Sequence, residues 1–174
     1  MEPRPSPRLL RHPVHLVSLG FGAGLSPFAP GTAGTLAAWL LYPLLRAAPL
    51  SDFAFLALLL ACFVGGVFAT HHTGKALGVP DHGAIVWDEM VAIWLVLCFT
   101  PSSPAWQKNL IWQAIAVAFF RLFDILKPPP IRQADSHFKN GFGVMFDDLL
   151  AAGYALLALA ALARLDRLAF GTGT

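Results

Sequence analysis

Apolar residues fill most of the chain in long runs, which short polar segments containing glycine and proline separate. Five such runs cover residues 33–48, 53–74, 85–100, 109–126 and 148–165. As helices rising about 1.5 Å per residue, the shorter runs reach roughly 24–27 Å, slightly less than a hydrocarbon core of about 30 Å. The pattern predicts an all-α, polytopic membrane helical bundle of about five transmembrane helices, whose shorter members end close to the lipid headgroups.

The N-terminal region does not follow this pattern. Segment 13–30 is glycine-rich and broken by Pro27 and Pro30, so we interpret it as a re-entrant or interfacial segment, with a sixth span as the alternative. Residues 1–12 are rich in proline and arginine and are expected to form a flexible tail. No cleavable signal peptide is apparent. We therefore treat residues 1–174 as a single integral-membrane domain.

Composition supports a membrane protein and excludes several partners. The chain is 56% hydrophobic and 13% charged, about half of the roughly 25% charge typical of soluble domains. A net charge of +2 gives no indication of nucleic-acid binding. The glycines at 20 and 22 lack the third glycine of a dinucleotide loop, because position 25 is leucine, and no GxxxxGK[ST] motif is present. A nucleotide partner is therefore not expected.

Basic residues predict the orientation in the bilayer. With five spans, the N-terminus and the loops 75–84 and 127–147 share one side, which receives eight basic residues against four on the other. The positive-inside rule makes the first side cytoplasmic. Arg164 and Arg167 oppose this assignment, since they flank the last span on the outside.

Acidic residues are concentrated on that same side. Five of the ten acids lie inside or at the end of apolar runs, namely Asp88, Glu89, Asp124, Asp147 and Asp148. Ionisable groups at membrane depth are costly and usually functional. Interfacial solvation or a helix N-terminus would explain any one of them alone. Five acids from three segments favour a shared site.

Basic residues accompany these acids. Arg121, Asp124 and Lys127 follow one another at intervals of three and therefore lie along one helix face, which ends before Pro128. An Arg121–Asp124 ion pair that only eases burial is the alternative interpretation. Carboxylates bind Mg²⁺, and a metal with nearby cations is typical of phosphoryl chemistry. The pattern predicts a magnesium-dependent phosphate site at the cytoplasmic interface, suited to a phosphate carried by a lipid. The expected metal ligands are Asp88, Glu89, Asp147 and Asp148.

Two loops add candidate residues. The turn "PFAPGT" precedes a helix expected to begin near residue 33, and its backbone N–H groups could hold a phosphate oxygen. His82 lies six residues before the acid pair, where proton transfer and a structural hydrogen bond within the loop are both open. The six histidines form no zinc-like pair.

Four motifs resemble one known family. "SPFAPGTAGTLAAW", "DHGAIVWDEMVAIW", "FRLFDILKPPPIRQAD" and "NGFGVMFDDLLAAGYA" occupy residues 26–39, 81–94, 120–135 and 140–155. In this order and spacing they are similar to the bacterial phosphatidylglycerophosphatase A family. The single departure is Pro129, where an aromatic residue is common.

The resemblance implies a magnesium-dependent phosphatase of the bacterial inner membrane, multi-pass, with its active site facing the cytoplasm. It implies hydrolysis of the terminal phosphate of phosphatidylglycerophosphate, a phospholipid phosphomonoester, to give phosphatidylglycerol. The motif positions carry over as catalytic Asp88, Glu89, Asp124, Asp148 and His82, and as substrate-binding Arg121, Lys127, Arg132, Gly31 and Thr32. Asp147 carries over as a metal ligand.

The amino-acid sequence leaves the attacking group, the functional class and the oligomeric state open. The attacking group is either a water made more acidic by the metal or an aspartate that forms a phosphoenzyme. A cation- or proton-coupled transporter is the rival from a different functional class, since buried acids also line ion paths. The chain is either a monomer or a homo-oligomer.

Overall fold

A computed structural model describes residues 5–171, apart from the side chain of Phe170, and this part of the chain is helical without strands. The α-helices are α1 Pro13–Ser18, α2 Pro30–Ala47, α3 Asp52–Leu77, α4 Trp87–Cys98, α5 Trp106–Leu126, α6 Ile131–His137 and α7 Gly141–Phe170. Two 3-10 helices, Pro7–Arg11 and Gly20–Leu25, lie near the N-terminus. Residues 1–4 of the predicted tail lie outside the described residues, and residues 7–11 form the first 3-10 helix.

Local sequence sets the ends of the long helices. The Ser51 side chain accepts a hydrogen bond from the Ala54 amide at the start of α3. Asn140 likewise accepts from two amides in the first turn of α7. Gly78 and Lys127 adopt left-handed backbone conformations at the ends of α3 and α5, which stops each helix and redirects the chain.

Helix α4 forms the centre of the bundle. Nine of its twelve residues are buried, and it contacts α2, α3, α5 and α7. Both of its tryptophans donate hydrogen bonds to neighbouring helices: Trp94 Nε1 donates to the Ala38 carbonyl at 2.8 Å, and Trp87 Nε1 donates to the Cys62 carbonyl at 3.1 Å. Protein rather than lipid therefore surrounds α4.

Three helix ends meet at one level of the bundle. Gly31 at the start of α2 lies against Glu89 at the start of α4 and Arg121 near the end of α5. From this level α2 extends over 18 residues and α5 over 21, which correspond to about 27 Å and 31 Å. These lengths match a hydrocarbon core of about 30 Å.

Beyond that level lies a second layer, here called the cap: α1, the two 3-10 helices, the C-terminal third of α3, and α6. The His15 Nδ1 and Thr73 Oγ1 atoms join α1 to α3 at 2.9 Å, and α6 packs on α7. The start of α4, with its two acids, thus lies between the bundle and the cap.

The number of spans differs from the prediction. All five apolar runs form helices, but within the described residues only α3, α5 and α7 are long and apolar enough to cross a membrane. Helix α4 has only twelve residues, and small and polar residues lower the hydropathy of α2. The prediction of five full spans is therefore wrong by this measure. Segment 13–30 holds only a six-residue helix and a 3-10 helix, so it does not form a sixth span.

The outer surface of the long helices is apolar, as a bilayer requires. Large hydrophobic side chains are exposed along α2, α3, α5 and α7, including Leu40, Leu44, Phe53, Leu60, Phe68, Ile125 and Leu157. Such a continuous apolar surface would be a liability in water, and it fits contact with lipid.

Candidate active site

One guanidinium nitrogen joins two acids at the start of α4 and the end of α5. Arg121 Nη1 lies 3.0 Å from Glu89 Oε1 and 2.7 Å from Asp124 Oδ2. All three side chains are largely buried, at 13–16% exposure. Because charge-assisted hydrogen bonds strengthen away from water, this network fixes α5 against α4. The Arg121–Asp124 ion pair of the alternative interpretation is therefore present, but Arg121 also pairs with Glu89.

A second network surrounds Lys127, the residue that ends α5. Its Nζ atom lies 2.6 Å from Asp147 Oδ2 and 3.3 Å from Asp135 Oδ1, and Lys139 approaches Asp135 at 4.0 Å. Burial acts to lower the pKa of Lys127, but the hydrogen bond from Lys127 to Asp147 and the charges of both acids outweigh it and raise that pKa. Lys127 therefore stays positively charged at neutral pH and joins α5, α6 and α7.

Two further acids are buried, and no lysine or arginine within residues 5–171 is bonded to them. Asp88 is 7% exposed, and its Oδ1 accepts a hydrogen bond from the Glu89 amide. Asp148 is 4% exposed, and its Oδ2 has no hydrogen-bond partner within the described part of the chain. Asp148 lies within electrostatic range of Asp124, Asp88, Asp147 and Glu89. The acids that lie far apart in the sequence thus converge on one place.

The start of α2 approaches this cluster closely because Gly31 and Gly34 have no side chains. A Cβ atom on Gly31 would overlap Glu89 Oε1 and lie 3.1 Å from Arg121 Nη1. A Cβ atom on Gly34 would meet Val86, and it would lie 3.3 Å from Glu89 Oε2. The first turn of α2, whose amide groups and dipole favour an anion, therefore lies directly against the Glu89–Arg121 pair.

The donor set fits a divalent cation only in part. Among the described residues, no three histidine, cysteine or acidic side chains are arranged to hold a metal ion by themselves. However, Glu89 Oε2 and Asp148 Oδ2 are buried and without partners there, and buried carboxylate oxygens need compensation. Magnesium typically takes one or two carboxylates together with waters and substrate phosphate oxygens. Two unpartnered carboxylate oxygens match this number of protein ligands, and the four-acid ligand set stays a prediction.

Three other predicted residues occupy different positions. His82 is buried at 4% exposure, and its Nδ1 accepts a hydrogen bond from the Ala84 amide at 3.1 Å, so it stabilises the turn before α4. Thr32 lies in the first turn of α2 and is half-buried. Arg132 is exposed on α6 and forms no ion pair within residues 5–171. The structure does not join Arg132 to the two networks.

The sequence did not single out Asp81 or Asp135 as site residues. Asp81 lies within electrostatic range of Asp88, Glu89, Lys127 and Asp147. Asp135 bonds Lys127 directly. Asp81 belongs to the motif "DHG" and Asp135 to the motif "RQAD", which was the available signal. Because both residues lie in segments that were expected to be loops, the sequence did not indicate how close they come to the buried acids.

A cavity opens beside the start of α2 on the cap side. Its volume is about 690 Å³, and its walls include Ser6, Ser26, Pro30, His82 and Gly83. Pro30 precedes Gly31, but neither Arg121 nor any of the five acids lines the cavity. Among the predicted site residues, His82 is the one that borders it.

Comparison with known proteins gives consistent matches. The sequence profile of a family described as phosphatidylglycerophosphatase A matches residues 16–163. A phosphatidylglycerophosphatase A of Haemophilus influenzae is 46% identical over 153 residues, which cover 88% of this chain and 90% of the relative. That of Escherichia coli is 41% identical over 142 residues, covering 82% and 78%.

A third relative has a different description. A protein of Bacteroides thetaiotaomicron, provisionally described as a phosphatidylinositol-3-phosphatase, is 41% identical over 150 residues, covering 83% of this chain and 90% of the relative. No solved structure matches the chain.

Proposed function

Because this chain belongs to the phosphatidylglycerophosphatase A family and is a phosphatase acting on a phosphate monoester, we propose that its substrate is phosphatidylglycerophosphate. The products are phosphatidylglycerol and inorganic phosphate. The observation that carries this proposal is the buried cluster of acids joined to Arg121 and Lys127 against the first turn of α2. This family membership does not favour the transporter alternative.

Arg121 and the start of α2 are positioned to bind the phosphate. The Arg121 guanidinium has a buried Nε without a partner among the described residues, and the adjacent first turn of α2 presents amide groups. Together they offer hydrogen bonds to the oxygens of a phosphomonoester and stabilise the negative charge that its transfer develops. Asp124 and Glu89 hold Arg121 in this orientation, and Thr32 adds a hydroxyl nearby.

Magnesium is the proposed cofactor. Glu89 and Asp148 would hold it through their unpartnered oxygens, with Asp88 and Asp147 alongside. When bound, such an ion would neutralise phosphate oxygens and make a nearby water more acidic. The buried carboxylates outnumber the two basic residues, Arg121 and Lys127. Without a metal ion, this excess of negative charge would repel a phosphate.

The chain's own residues complete the reaction. Asp88 and Asp148 are the acids that we assign to the attacking water, because each is buried and has no bonded lysine or arginine within residues 5–171. His82 lines the cavity beside the start of α2 and is the proposed proton-transfer residue. The ion pair between Lys127 and Asp147 fixes the start of α7 against the end of α5.

The proposed location is the bacterial inner membrane with the site facing the cytoplasm. Helices α3, α5 and α7 are long and apolar enough to cross the bilayer. The site lies at the level where α2 begins and α5 ends, about one hydrocarbon thickness from the opposite ends of these helices. A phosphate on a lipid headgroup lies at this depth.

Phosphate release from purified protein in detergent tests the proposal. The wild type should release phosphate from phosphatidylglycerophosphate only with magnesium. Asp88→Asn should lower the rate by at least about 100-fold, a typical loss when one group of a preorganised charged site is removed. Asp52→Asn is the matched control, since Asp52 is exposed and pairs with Arg46 at the opposite end of the bundle. Absence of release by the wild type from every lipid phosphomonoester, with ion uptake in liposomes, would favour a transporter.

Metal binding needs a readout that does not depend on activity. Bound Mn²⁺, used in place of magnesium, can be counted by electron paramagnetic resonance of the substrate-free protein. Glu89→Gln and Asp148→Asn should each weaken its binding, while Asp166→Asn should not. Unchanged Mn²⁺ affinity in both site variants would show that the ion is held elsewhere.

A further inference from the structure

An apolar groove runs along the membrane side of the bundle and leads to the acids. It has a volume of about 230 Å³ and lies between α3, α4 and α7. Its lining is wholly apolar: Leu56, Leu59, Leu60, Phe63, Val91, Leu95 and Leu149. No residue of this lining belongs to the ion-pair networks described above.

The wall from α3 is a regular stripe. Leu56, Leu59, Leu60 and Phe63 follow the spacing of one helix face. Leu60 is 64% exposed, so the groove is open to lipid. Phe63 follows Cys62, whose carbonyl accepts the hydrogen bond from Trp87, and Trp87 precedes the acid pair. The Phe63 end of the groove is therefore the end nearest the site.

The floor of the groove continues directly into the site. Val91 and Leu95 lie three and seven residues after Asp88, so all three share one face of α4. Most of α4 is buried against its neighbours, and Leu95, which lines the groove, is one of its partly exposed residues. On the opposite wall, Leu149 directly follows Asp148. Moving along the groove toward the cap therefore leads from an apolar lining to buried carboxylates within about one helical turn.

We propose that this groove binds one acyl chain of the lipid whose phosphate is hydrolysed, with the chain running from Phe63 and Leu149 toward Leu56 and Leu95. The inference rests on the proposed function and specifies how the substrate is held. A phospholipid joins a charged headgroup to apolar chains. The protein likewise places the charged site at one end of the apolar groove. A protein helix, about 10 Å across with side chains, would place only one or two side chains in this volume.

The groove also explains how the enzyme can act without removing lipid from the bilayer. The chain stays in hydrocarbon surroundings while the headgroup reaches the acids. The non-reacting chain makes the same contacts with the groove before and during phosphate transfer. Such uniform binding lowers KM and leaves kcat little changed.

Filling the groove tests this inference. Leu60→Trp should raise KM for a long-chain phosphatidylglycerophosphate by about ten-fold, the loss expected when about two methylene groups are no longer buried. It should leave kcat, and KM for a dihexanoyl substrate, unchanged. Leu58→Trp is the matched control, because Leu58 is also exposed on α3 but does not line the groove. Equal effects of both variants, or equal effects on both chain lengths, would overturn the inference.

A second readout does not require turnover. A phospholipid with a photoactivatable diazirine on its acyl chain should crosslink to residues 56–63 and 91–95 in wild-type protein, and less in Leu60→Trp. Crosslinks spread evenly over the outer faces of α3, α5 and α7 would contradict a specific groove. A change in oligomeric state in Leu60→Trp, measured by light scattering, would assign the groove to a second copy of the chain instead.

These outcomes separate the groove from the proposed function. If the wild type releases no phosphate from either chain length, the proposed function fails, and crosslinking still decides whether the groove binds an acyl chain. If phosphate is released but chain length has no effect on the variants, only the groove inference fails.

Discussion

At the scale of single residues, Arg121 joins α5 to the start of α4 and lies against the start of α2. One of its nitrogens contacts both Glu89 and Asp124, which leaves the rest of the planar guanidinium to face a ligand. A lysine would keep the charge but could not hold two acids and a phosphate in a fixed plane. The shape of this side chain therefore matters as much as its charge.

We expect Arg121→Lys to lower kcat by at least about ten-fold through loss of these charge-assisted bonds. Arg132→Lys is the matched control, because Arg132 is exposed and outside the two networks, and it should change kcat little. Steady-state kinetics on the same lipid would check both. A larger loss in Arg132→Lys would move the phosphate contact to α6.

Gly31 is the residue at which the absence of a side chain has a structural effect. We expect Gly31→Ala to displace Glu89 or α2 and to reduce activity by at least about ten-fold, because core sites tolerate overlap poorly. Gly65→Ala is the control, since a Cβ there meets nothing within 4 Å. Activity together with the melting temperature in detergent would separate a local effect from unfolding. Equal activity in both variants would show that α2 need not approach so closely.

At the scale of elements, α4 depends on hydrogen bonds from its tryptophans to neighbouring helices. Trp94→Phe removes the donor to the Ala38 carbonyl and should destabilise the fold by about 1 kcal/mol. Trp106→Phe, at an exposed position on α5, should have little effect. Thermal unfolding in detergent would measure the difference. An unchanged melting temperature in Trp94→Phe would show that α2 and α4 are held by apolar packing alone.

The helices were largely predictable, but their relation to the bilayer was not. Each apolar run corresponds to a helix, because runs bounded by proline and glycine leave little choice of structure. Four runs agree with their helices to within about three residues at each end, whereas α7 begins seven residues before the run 148–165 and ends five residues after it. Hydropathy cannot tell burial in protein from burial in lipid, so residues 85–100 were expected to form a span, whereas α4 is enclosed by protein. The start of α2 was expected near residue 33, whereas Pro30 begins it, because proline is favoured in the first turn of a helix.

The site was predictable in its residue types and less so in its pairings. Acids within apolar runs are rare enough to be noticed individually, and the structure brings Asp88, Glu89, Asp124, Asp147 and Asp148 together. Which acid pairs with which cation depends on how helices rotate against each other, and no spacing rule gives this. Lys127 therefore bonds Asp147 and Asp135 rather than Asp124, its neighbour in sequence.

At the scale of the whole molecule, the layered arrangement predicts which loops face each side of the membrane. Ser136→Cys, exposed on α6 in the cap, should react with an impermeant maleimide only from the cytoplasmic face. Ser102→Cys, exposed in the loop between α4 and α5, should react only from the opposite face. Labelling of intact spheroplasts and inverted vesicles would test this. Reaction of both variants from the same face would contradict the two-layer arrangement.

The enclosed position of α4 has a consequence for biogenesis. A segment of twelve residues with two acids at its head is too short and too costly to enter the bilayer independently. It needs α3 before it and α5 and α7 after it, so its insertion depends on residues synthesised later. The carboxylates thus come together only when synthesis is nearly complete, and a nascent chain released before α7 would hold no competent catalyst.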